Sequence, residues 1–453
     1  MPVIGNGRMI TRDENAPFFE DGAVAFRGAE ICCVGTTRLL REAFPDEPFI
    51  DARGGIIMPA FVNPHEHIYS SMARGMPLPG YQPKSFEEIL EGLWWRIDRS
   101  LTLEQVRHSA RATFLECIRN GVTTVFDHHA SFGHIRGSLA TIEETVWELG
   151  VRACLCFEVS DRAGQESMDE AIAENASFLM HAQKDRSGRV AGMMGLHASF
   201  TLSDETLERC VDAAPEGTGF HIHVAEGPVD QQQCLAQHGM RVVQRLHRHG
   251  ILGPRTLAVH CIDVDRNELD LLQDTDTMVV HNPGSNMANA CGCPPVLEIV
   301  RRGILTGLGT DGYTHDMTES YRTANLLLKH HHRDAGAGWD EVPAMLFGGN
   351  PSIAGRFFHP QPGILRAGAA ADIIVLDYIP HTPMDACNCN AHILFGMSGR
   401  NVVTTVCMGN VLMQDRVMKG IDEERMLAEV RGEAWRLWQG MNTSAVPGGS
   451  DRR

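Results

Sequence analysis

The chain has 453 residues, of which 43% are hydrophobic and 21% are charged, and its formal net charge is −17. This length suits one large domain with an accessory domain, and the acidic balance without a basic face argues against a nucleic-acid or membrane-surface binder. The first residues are charged and no apolar run reaches the roughly 18 residues of a spanning helix, so we expect neither a signal peptide nor a membrane anchor. The 13 cysteines are scattered and suggest reduced, buried thiols. These features favour a cytoplasmic protein with a small-molecule partner.

The two ends of the chain contain short strand-like pieces. Residues 1–58 include GAVAFRGAEICCVG, and residues 363–421 include AADIIVLDYI and VVTTVCMGNVLM, with glycine turns between the pieces. Neither segment is long enough for a convincing core of its own. We therefore expect one small composite β-sandwich, formed from residues 1–58 and 363–421.

Residues 59–362 contain a series of short apolar runs that stop at a polar residue. After the first run, successive ends lie about 20–40 residues apart, the length of one strand plus one helix. The helix-like segments between them include TLEQVRHSARATFLECIRNG, with apolar residues at helical spacing and a final glycine. The polar ends are His65, Asp127, Glu158, His197, His223, His260, His281 and Asp311.

This series favours an α/β fold, a (β/α)8 TIM barrel, because such barrels carry their chemistry at the C-terminal ends of parallel strands. The alternative is an open parallel sheet with chance polar ends, which the predominance of histidine disfavours. Residues 422–440 predict a final helix, with Asp422 as its N-cap and an apolar side that includes Met426 and Trp438. We expect the tail, residues 441–453, to be disordered.

A metal site is predicted from four of the strand-end residues. In an extended segment, His65 and His67 share a face. His223 and Asp311, on later strands of the same barrel, can complete the ligand set. Three histidines and one carboxylate leave a position for water, as in a catalytic site, and imidazole suits zinc and iron(II). We expect one divalent metal per chain, with zinc preferred over iron(II).

The same stretches resemble the amidohydrolase superfamily. MPAFVNPHEH, HIHVAE, AVHC, VVHNPGSNM and LGTDG are similar to motifs of its aminohydrolase and triazine-chlorohydrolase branch, which includes adenosine-homologue and guanine deaminases. GLWWRID, TTVFDHHASFG, GLHASFTLSD and GLGTDGYTHDM look like the SsnA-type aminohydrolases, and the resemblance covers essentially the whole chain. Ala60 departs from the family's usual glycine, which matters only if the backbone there needs a positive φ.

The resemblance implies roles for individual residues. His65, His67, His223 and Asp311 match the metal ligands, Glu226 the glutamate that shuttles a proton, and His260 the histidine that polarises water or substrate. His197 matches a substrate contact. Binuclear members bridge their metals with a carboxylated lysine on a middle strand, but the single lysine of residues 130–200 is Lys184, in a predicted helix end. One metal is therefore expected.

The expected reaction is hydrolytic deamination of a cyclic amidine, such as a purine- or pyrimidine-like ring. The metal would activate a water, Asp311 would take its proton, and Glu226 would protonate the adjacent ring nitrogen. Glu226 must lie past its strand end, since residues three apart on a strand face opposite sides. One alternative is a chlorohydrolase of an s-triazine-like ring. The other is a non-catalytic scaffold, which the complete set of ligands disfavours.

Several other residues remain open between functional and structural roles. His128, His129 and Glu158 follow strands two and three and suit either substrate contacts or local ion pairs. Trp94 and Trp95 are candidates to cover the site, and at most one is expected to touch substrate because helix neighbours face different sides. The remaining features are interpreted as structural: His221 as core filling, His281–Asn282 as a rigid loop, residues 329–333 as a solvated face, and Cys291 and Cys293 as packing. An acidic surface on a large barrel leads us to expect a homo-oligomer, most simply a dimer.

Overall fold

The structure is a computed structural model that describes residues 1–443. The strands are β1 (Val3–Ile10), β2 (Phe18–Arg27), β3 (Glu30–Thr36), β4 (Phe49–Asp51), β5 (Ile56–Pro59), β6 (Phe61–Glu66), β7 (Val122–His129), β8 (Arg152–Phe157), β9 (Val190–Gly192), β10 (Met194–Ala198), β11 (Phe220–Val224), β12 (Leu257–His260), β13 (Met278–His281), β14 (Thr306–Leu308), β15 (Ile373–Leu376), β16 (Val402–Cys407), β17 (Asn410–Gln414) and β18 (Val417–Met418).

The helices alternate with the strands through the middle of the chain. They are α1 (Thr37–Ala43), α2 (Phe86–Ile89), α3 (Trp95–Asp98), α4 (Leu103–Arg119), α5 (Ser138–Leu149), α6 (Gln165–Ala182), α7 (Asp204–Ala213), α8 (Pro228–His238), α9 (Val242–Arg248), α10 (Arg266–Asp274), α11 (Pro283–Ala288), α12 (Val296–Arg301), α13 (Met317–His332), α14 (Glu341–Pro343), α15 (Asn350–Gly355), α16 (Cys389–Gly396) and α17 (Glu423–Thr443). Leu90–Trp94 and Ala344–Gly349 are π-helical.

The middle of the chain closes into the predicted parallel barrel. Strands β6 to β9 pair in parallel in that order, and β10 to β14 form a second parallel series. The two series join where the backbone of Val159 bridges Leu196 in parallel. The ring closes at the other side, where the N–H groups of Thr310 and Asp311, just after β14, donate to the carbonyl of His65 at 3.2 and 3.0 Å. The barrel predicted from the polar strand ends is confirmed.

One end of the barrel interior is apolar and the other is polar. The apolar end contains a buried cluster that includes Val62, Phe126, Val259, Val280 and Phe358. Every second residue of a strand faces the barrel interior. The next interior positions toward the C-terminal ends therefore form a separate layer, which can be polar. The histidines and acids described below occupy that end.

The strands from the two ends of the chain pair in one mixed sheet. Its order is β18-β17-β16-β15-β5-β1-β2-β3, with β4 beside β1. Strand β5 continues through Ala60 into the barrel strand β6, so the sheet and the barrel share one run of chain. Ala60 is buried and does not adopt a positive φ, so the departure from glycine leaves the backbone unstrained. The domain boundaries themselves stay a prediction.

The final helix covers one side of the barrel. Asp422 Oδ1 accepts the N–H of Arg425 at 3.1 Å, so it caps the helix as expected, and the Trp438 indole N–H donates to the carbonyl of Met72 at 2.8 Å. The helix extends to Thr443, so the expected disorder is wrong for residues 441–443; the rest of the predicted tail lies outside the described residues. None of the described helices has the length and apolar character needed to cross a membrane.

Candidate metal centre and cavity

Four predicted ligands converge at the polar end of the barrel. His67 Nε2 lies 3.2 Å from His223 Nε2 and 3.3 Å from Asp311 Oδ1. His65 Nε2 lies 3.8 Å from the same carboxylate oxygen. The three histidines offer ring nitrogens that all lie within 4.8 Å of one another, and all three residues are buried. The structure therefore brings together residues that are separated by up to 246 positions in sequence (311 − 65 = 246).

Hydrogen bonding shows that these atoms face one another with lone pairs. His67 Nδ1 lies 2.6 Å from the carbonyl of His128, so Nδ1 carries the proton and Nε2 is bare. That bare nitrogen faces the Asp311 carboxylate, and His65 Nε2 is buried with no hydrogen-bond partner among the described residues. Electron-rich atoms at such distances repel one another unless a cation lies between them. Three nitrogens and one oxygen are a suitable donor set for a divalent metal.

Two further histidines fix the orientation of the His65 and His67 rings. His221 Nε2 and His65 Nδ1 share a hydrogen bond of 2.8 Å. His221 was interpreted as core filling, but this bond makes it a direct support of His65. His128 Nε2 lies 3.1 Å from the carbonyls of both Leu196 and His221, which holds the His128 backbone where it accepts from His67. The contacts of His221 with His65 and of His128 with Leu196 and His221 could not be predicted from sequence, because each joins strands that are not neighbours in the barrel.

Glu226 lies past the end of its strand, as predicted. Strand β11 ends at Val224, and Ala225 adopts a left-handed φ of 48°, which turns the chain back over the cavity. Burial raises the pKa of Glu226 well above its usual value, and the nearby Asp311 carboxylate raises it further. Glu226 is therefore suited to hold a proton at neutral pH.

His260 lies between the two acids. Its Nδ1 donates to Asn286 Oδ1 at 2.8 Å, which leaves Nε2 as the acceptor. His260 Nε2 lies 3.5 Å from Glu226 Oε2 and 3.5 Å from Asp311 Oδ2. This nitrogen is buried without a hydrogen-bond partner in residues 1–443. A water or substrate atom between these groups would satisfy all of them.

A cavity opens onto this cluster. It is lined by aromatic and apolar side chains on one side and by polar groups on the other. The lining residues are His67, Tyr69, Ser70, Phe86, Leu90, Trp94, Trp95, Glu158, His197, His223, Glu226, Ser285, Ala288, Asn289, Asp311, Gly312 and Tyr313. Of the predicted substrate contacts, His197, Trp94 and Glu158 therefore line the cavity. His128 and His260 lie behind its wall.

Trp94 and Trp95 both line the cavity. Trp94 ends the π-helical turn Leu90–Trp94, and Trp95 begins α3. The expectation that at most one of them touches substrate stays a prediction. Ser285 and Asn289 also line the cavity, and neither was predicted to do so. The segment after His281, predicted as a rigid loop, forms the short helix α11, which contains Ser285 and is followed by Asn289.

Glu158 belongs to a buried group of three charged side chains. Arg162 forms a bidentate pair with Asp98, and its Nη2 also donates to Glu158 Oε1 at 3.2 Å. Burial raises the pKa of Glu158 to about 8, although the Arg162 charge opposes the rise. One guanidinium thus serves two carboxyl groups, and the other oxygen of Glu158, Oε2, lies 3.6 Å from His128 Nδ1.

The other predicted positions have structural surroundings. Lys184 is exposed just beyond the end of α6 rather than on a strand, and the single metal per chain stays a prediction. His330, His331 and His332 are exposed on α13, in agreement with a solvated face.

Comparison with known proteins identifies the class. Residues 56–412 match the Amidohydrolase family. The chain is 30% identical over 446 residues to a 5-methylthioadenosine/S-adenosylhomocysteine deaminase of Pelotomaculum thermopropionicum, covering 96% of this chain and 98% of the relative. It is 29% identical to a 5'-deoxyadenosine deaminase of Methanosarcina mazei, covering 97% and 99%. The chain belongs to the amidohydrolase family, and the predicted class of hydrolytic deaminase is confirmed.

Solved structures share the fold. A zinc-bound adenosine deaminase from Xanthomonas campestris superposes with a TM-score of 0.85 at 22% identity, covering 97% of this chain and 98% of that one. A zinc complex of atrazine chlorohydrolase from Arthrobacter aurescens gives a TM-score of 0.81 at 23% identity, covering 96% and 100%. These neighbours show the fold, and the donor set of the histidine–aspartate cluster in this chain fits a divalent metal.

Proposed function

We propose that this chain is a zinc-dependent deaminase of purine nucleosides related to adenosine. The observation that carries the proposal is the position of Glu226, a buried carboxyl with a raised pKa that lies 3.5 Å from His260, beside the histidine–aspartate cluster at the wall of an aromatic cavity. The nucleoside is suggested by the relatives named as deaminases of adenosine derivatives, which match over nearly the whole chain. Zinc is suggested by the zinc-bound neighbours and by the donor set.

We assign His65, His67, His223 and Asp311 as the residues that would hold the ion. When bound, a divalent ion acidifies water enough to supply a nucleophile near neutral pH. The Asp311 carboxylate takes a proton from the attacking water. Glu226 donates its proton to the ring nitrogen beside the carbon that bears the amino group. The C–N bond then breaks: Asp311 passes the proton it took from water to the amino group, which leaves as ammonia, and the new hydroxyl group returns a proton to Glu226 as it becomes the carbonyl. His260, with its bare Nε2 between the two acids, orients the water through a hydrogen bond.

The cavity walls are assigned to substrate binding. Trp94, Trp95 and Phe86 offer flat apolar surface on which a purine ring can stack. His197 faces the same space, with its Nδ1 held by Thr201 Oγ1 at 2.7 Å. Glu158 presents an oxygen that can accept a hydrogen bond from a substrate N–H or O–H group.

The test is ammonia release by the zinc-loaded protein. The panel contains adenosine, nucleosides of adenine altered at the 5' position, free adenine and guanine, and atrazine, with the Glu226→Gln variant as the inactive control. The proposal predicts ammonia from one or more of the adenine nucleosides. Chloride release from atrazine without ammonia from any nucleoside would replace it with the chlorohydrolase alternative.

We also propose a cytoplasmic homo-oligomer with the domain division predicted from sequence. The free thiols suit a reducing compartment, and closed symmetric assemblies are the common arrangement for large soluble enzymes. Light scattering at micromolar concentration tests the assembly, and a single monomeric species would remove it.

A further inference from the structure

A buried pair of side chains lies outside the metal cluster and has no part in the proposed reaction. Glu66 stands between the ligands His65 and His67 and therefore faces the opposite side of the strand. His315 follows the ligand Asp311 by four residues. His315 Nδ1 hydrogen-bonds Glu66 Oε1, and both side chains are buried.

This pair joins the two segments that carry the ligands. Asn63 Nδ2 donates to Glu66 Oε2 at 2.6 Å and to Thr310 Oγ1 at 2.7 Å. Asn63 and Glu66 belong to β6, whereas Thr310 and His315 belong to the segment after β14. The side chains thus form a second connection beside the backbone bonds that close the barrel at His65.

The segment after β14 needs such a connection. Asp311 adopts a left-handed φ of 56°, a conformation that is unfavourable for a non-glycine residue unless its surroundings hold it. Its backbone is held at one end by the carbonyl of His65. His315 holds the other end of the same turn against Glu66.

An alternative is that Glu66, Cys117 and His315 form another metal site, because their ligand atoms lie within 4.8 Å of one another. The direct hydrogen bond between Glu66 and His315 leaves no space for an ion between them. The outer nitrogen of His315 faces Glu116 Oε2 at 3.6 Å, and Arg74 also binds that carboxylate. The contacts therefore favour a chain of paired side chains that ends at the surface.

We propose that Glu66 and His315 are positioning residues, whose pairing sets the place of Asp311 relative to His65 and His67 and thereby the affinity of the site for its metal. The inference rests on the proposed function only for the identity of the metal ligands. It concerns geometry and affinity, so it holds or fails whatever the substrate is.

The experiment compares Glu66→Gln, His315→Gln and the double variant with the wild-type chain. Zinc dissociation constants are measured by competition with a chelator, and the visible absorption spectrum of the cobalt-substituted protein reports ligand geometry. Each single variant is expected to bind zinc about 10-fold or more weakly, the usual effect of removing an outer support of a metal ligand, and to shift the cobalt bands. The double variant should be little worse than either single variant, because both remove one shared contact.

His108→Gln is the matched control. His108 is also buried and pairs with an acid, Glu104, at 3.1 Å on α4, but this pair joins no metal ligands. It should change the melting temperature without changing zinc affinity or the cobalt spectrum. If His315→Gln fails to fold, Glu66→Gln still decides: the amide keeps the size of the side chain, but its single acceptor oxygen cannot accept from both Asn63 and His315 at the two positions that the carboxylate oxygens occupy.

Two results would overturn the inference. One is wild-type zinc affinity and an unchanged cobalt spectrum in Glu66→Gln and His315→Gln. The other is a second equivalent of zinc in the wild-type protein that Cys117→Ser removes, which would make the cluster a metal site. Loss of zinc in His65→Ala tests the proposed ligands separately, and absence of deamination with normal zinc binding would refute the proposed function alone.

Discussion

Replacement of Glu158 by glutamine tests whether the buried carboxyl group of Glu158 in the cavity wall lowers the stability of the fold. Glu158 is 2% exposed and shares Arg162 with Asp98. Its pKa is raised from 4.5 to about 8, first because of burial and further by the charge of Asp98, with Arg162 opposing. Between these two pH values the folded chain holds a proton that the unfolded chain releases. The free energy of unfolding therefore falls as pH rises through this window.

The magnitude follows from the two pKa values. At about 1.4 kcal/mol per pKa unit, a change from 4.5 to about 8 corresponds to about 5 kcal/mol above pH 8. This is an upper limit, because a divalent cation in the neighbouring histidine cluster favours the ionised carboxyl. Glutamine cannot ionise and can still accept from Arg162, so the variant lacks this loss of stability.

The assay is urea unfolding of the metal-loaded wild-type and Glu158→Gln proteins at pH 5.5, 7 and 8.5. Between pH 5.5 and 8.5 we expect the stability of the variant relative to wild type to increase by up to about 3 kcal/mol, together with a fall in kcat/KM for the substrate. A stability difference that stays constant across this pH range would refute the reasoning. A more stable variant with unchanged kcat/KM would remove Glu158 from substrate binding while leaving its burial energetics intact.

Three further predictions concern the ligands, the acid and the fold. Glu226→Gln should keep its metal and lose a factor of about 10²–10⁴ in kcat, as general acids usually contribute; steady-state kinetics with elemental analysis decide, and loss of metal would make Glu226 a ligand. His65→Ala should lose most of its metal by elemental analysis, and full occupancy would exclude His65. Asp372→Ala should lower the free energy of unfolding by about 3–5 kcal/mol, because it leaves the buried Arg152 guanidinium without its carboxylate. An unchanged denaturation midpoint would contradict that account.

The barrel was predictable because its evidence is local and repeated. Each strand is a short apolar run, each run ends at a polar residue, and the spacing between ends allows one strand and one helix. Parallel strands in a barrel bring their C-terminal ends together, so the pattern also predicted which residues would be neighbours. His65 and Asp311 could therefore be placed together from sequence, although the roles assigned to them stay predictions.

What sequence could not predict depends on contacts across the barrel or on local irregularity. The bond from His221 to His65 joins strands that are not neighbours, and nothing in HIHVAE distinguishes a packed histidine from a supporting one. The π-helical turn Leu90–Trp94 is a local irregularity that no pattern in GLWWRID predicts. Glu66 and His315 lie 249 residues apart and each would be unremarkable alone.

The histidines at the polar end of the barrel are arranged in two layers. The upper layer contains His65 and His67, and the lower layer, His128 and His221, holds their rings in fixed orientations. His65 and His67 each use Nδ1 to bond His221 or the backbone of His128, so that each Nε2 is aimed at the same point. The rings of His128 and His221 in turn lie 4.7 Å apart between centroids and pack against the ligands from below. Buried imidazoles in this number are unfavourable without a cation, since their lone pairs face one another. A divalent metal bound at this point would therefore stabilise the fold, and a substitution of His128 or His221 would alter the metal affinity without removing a proposed ligand.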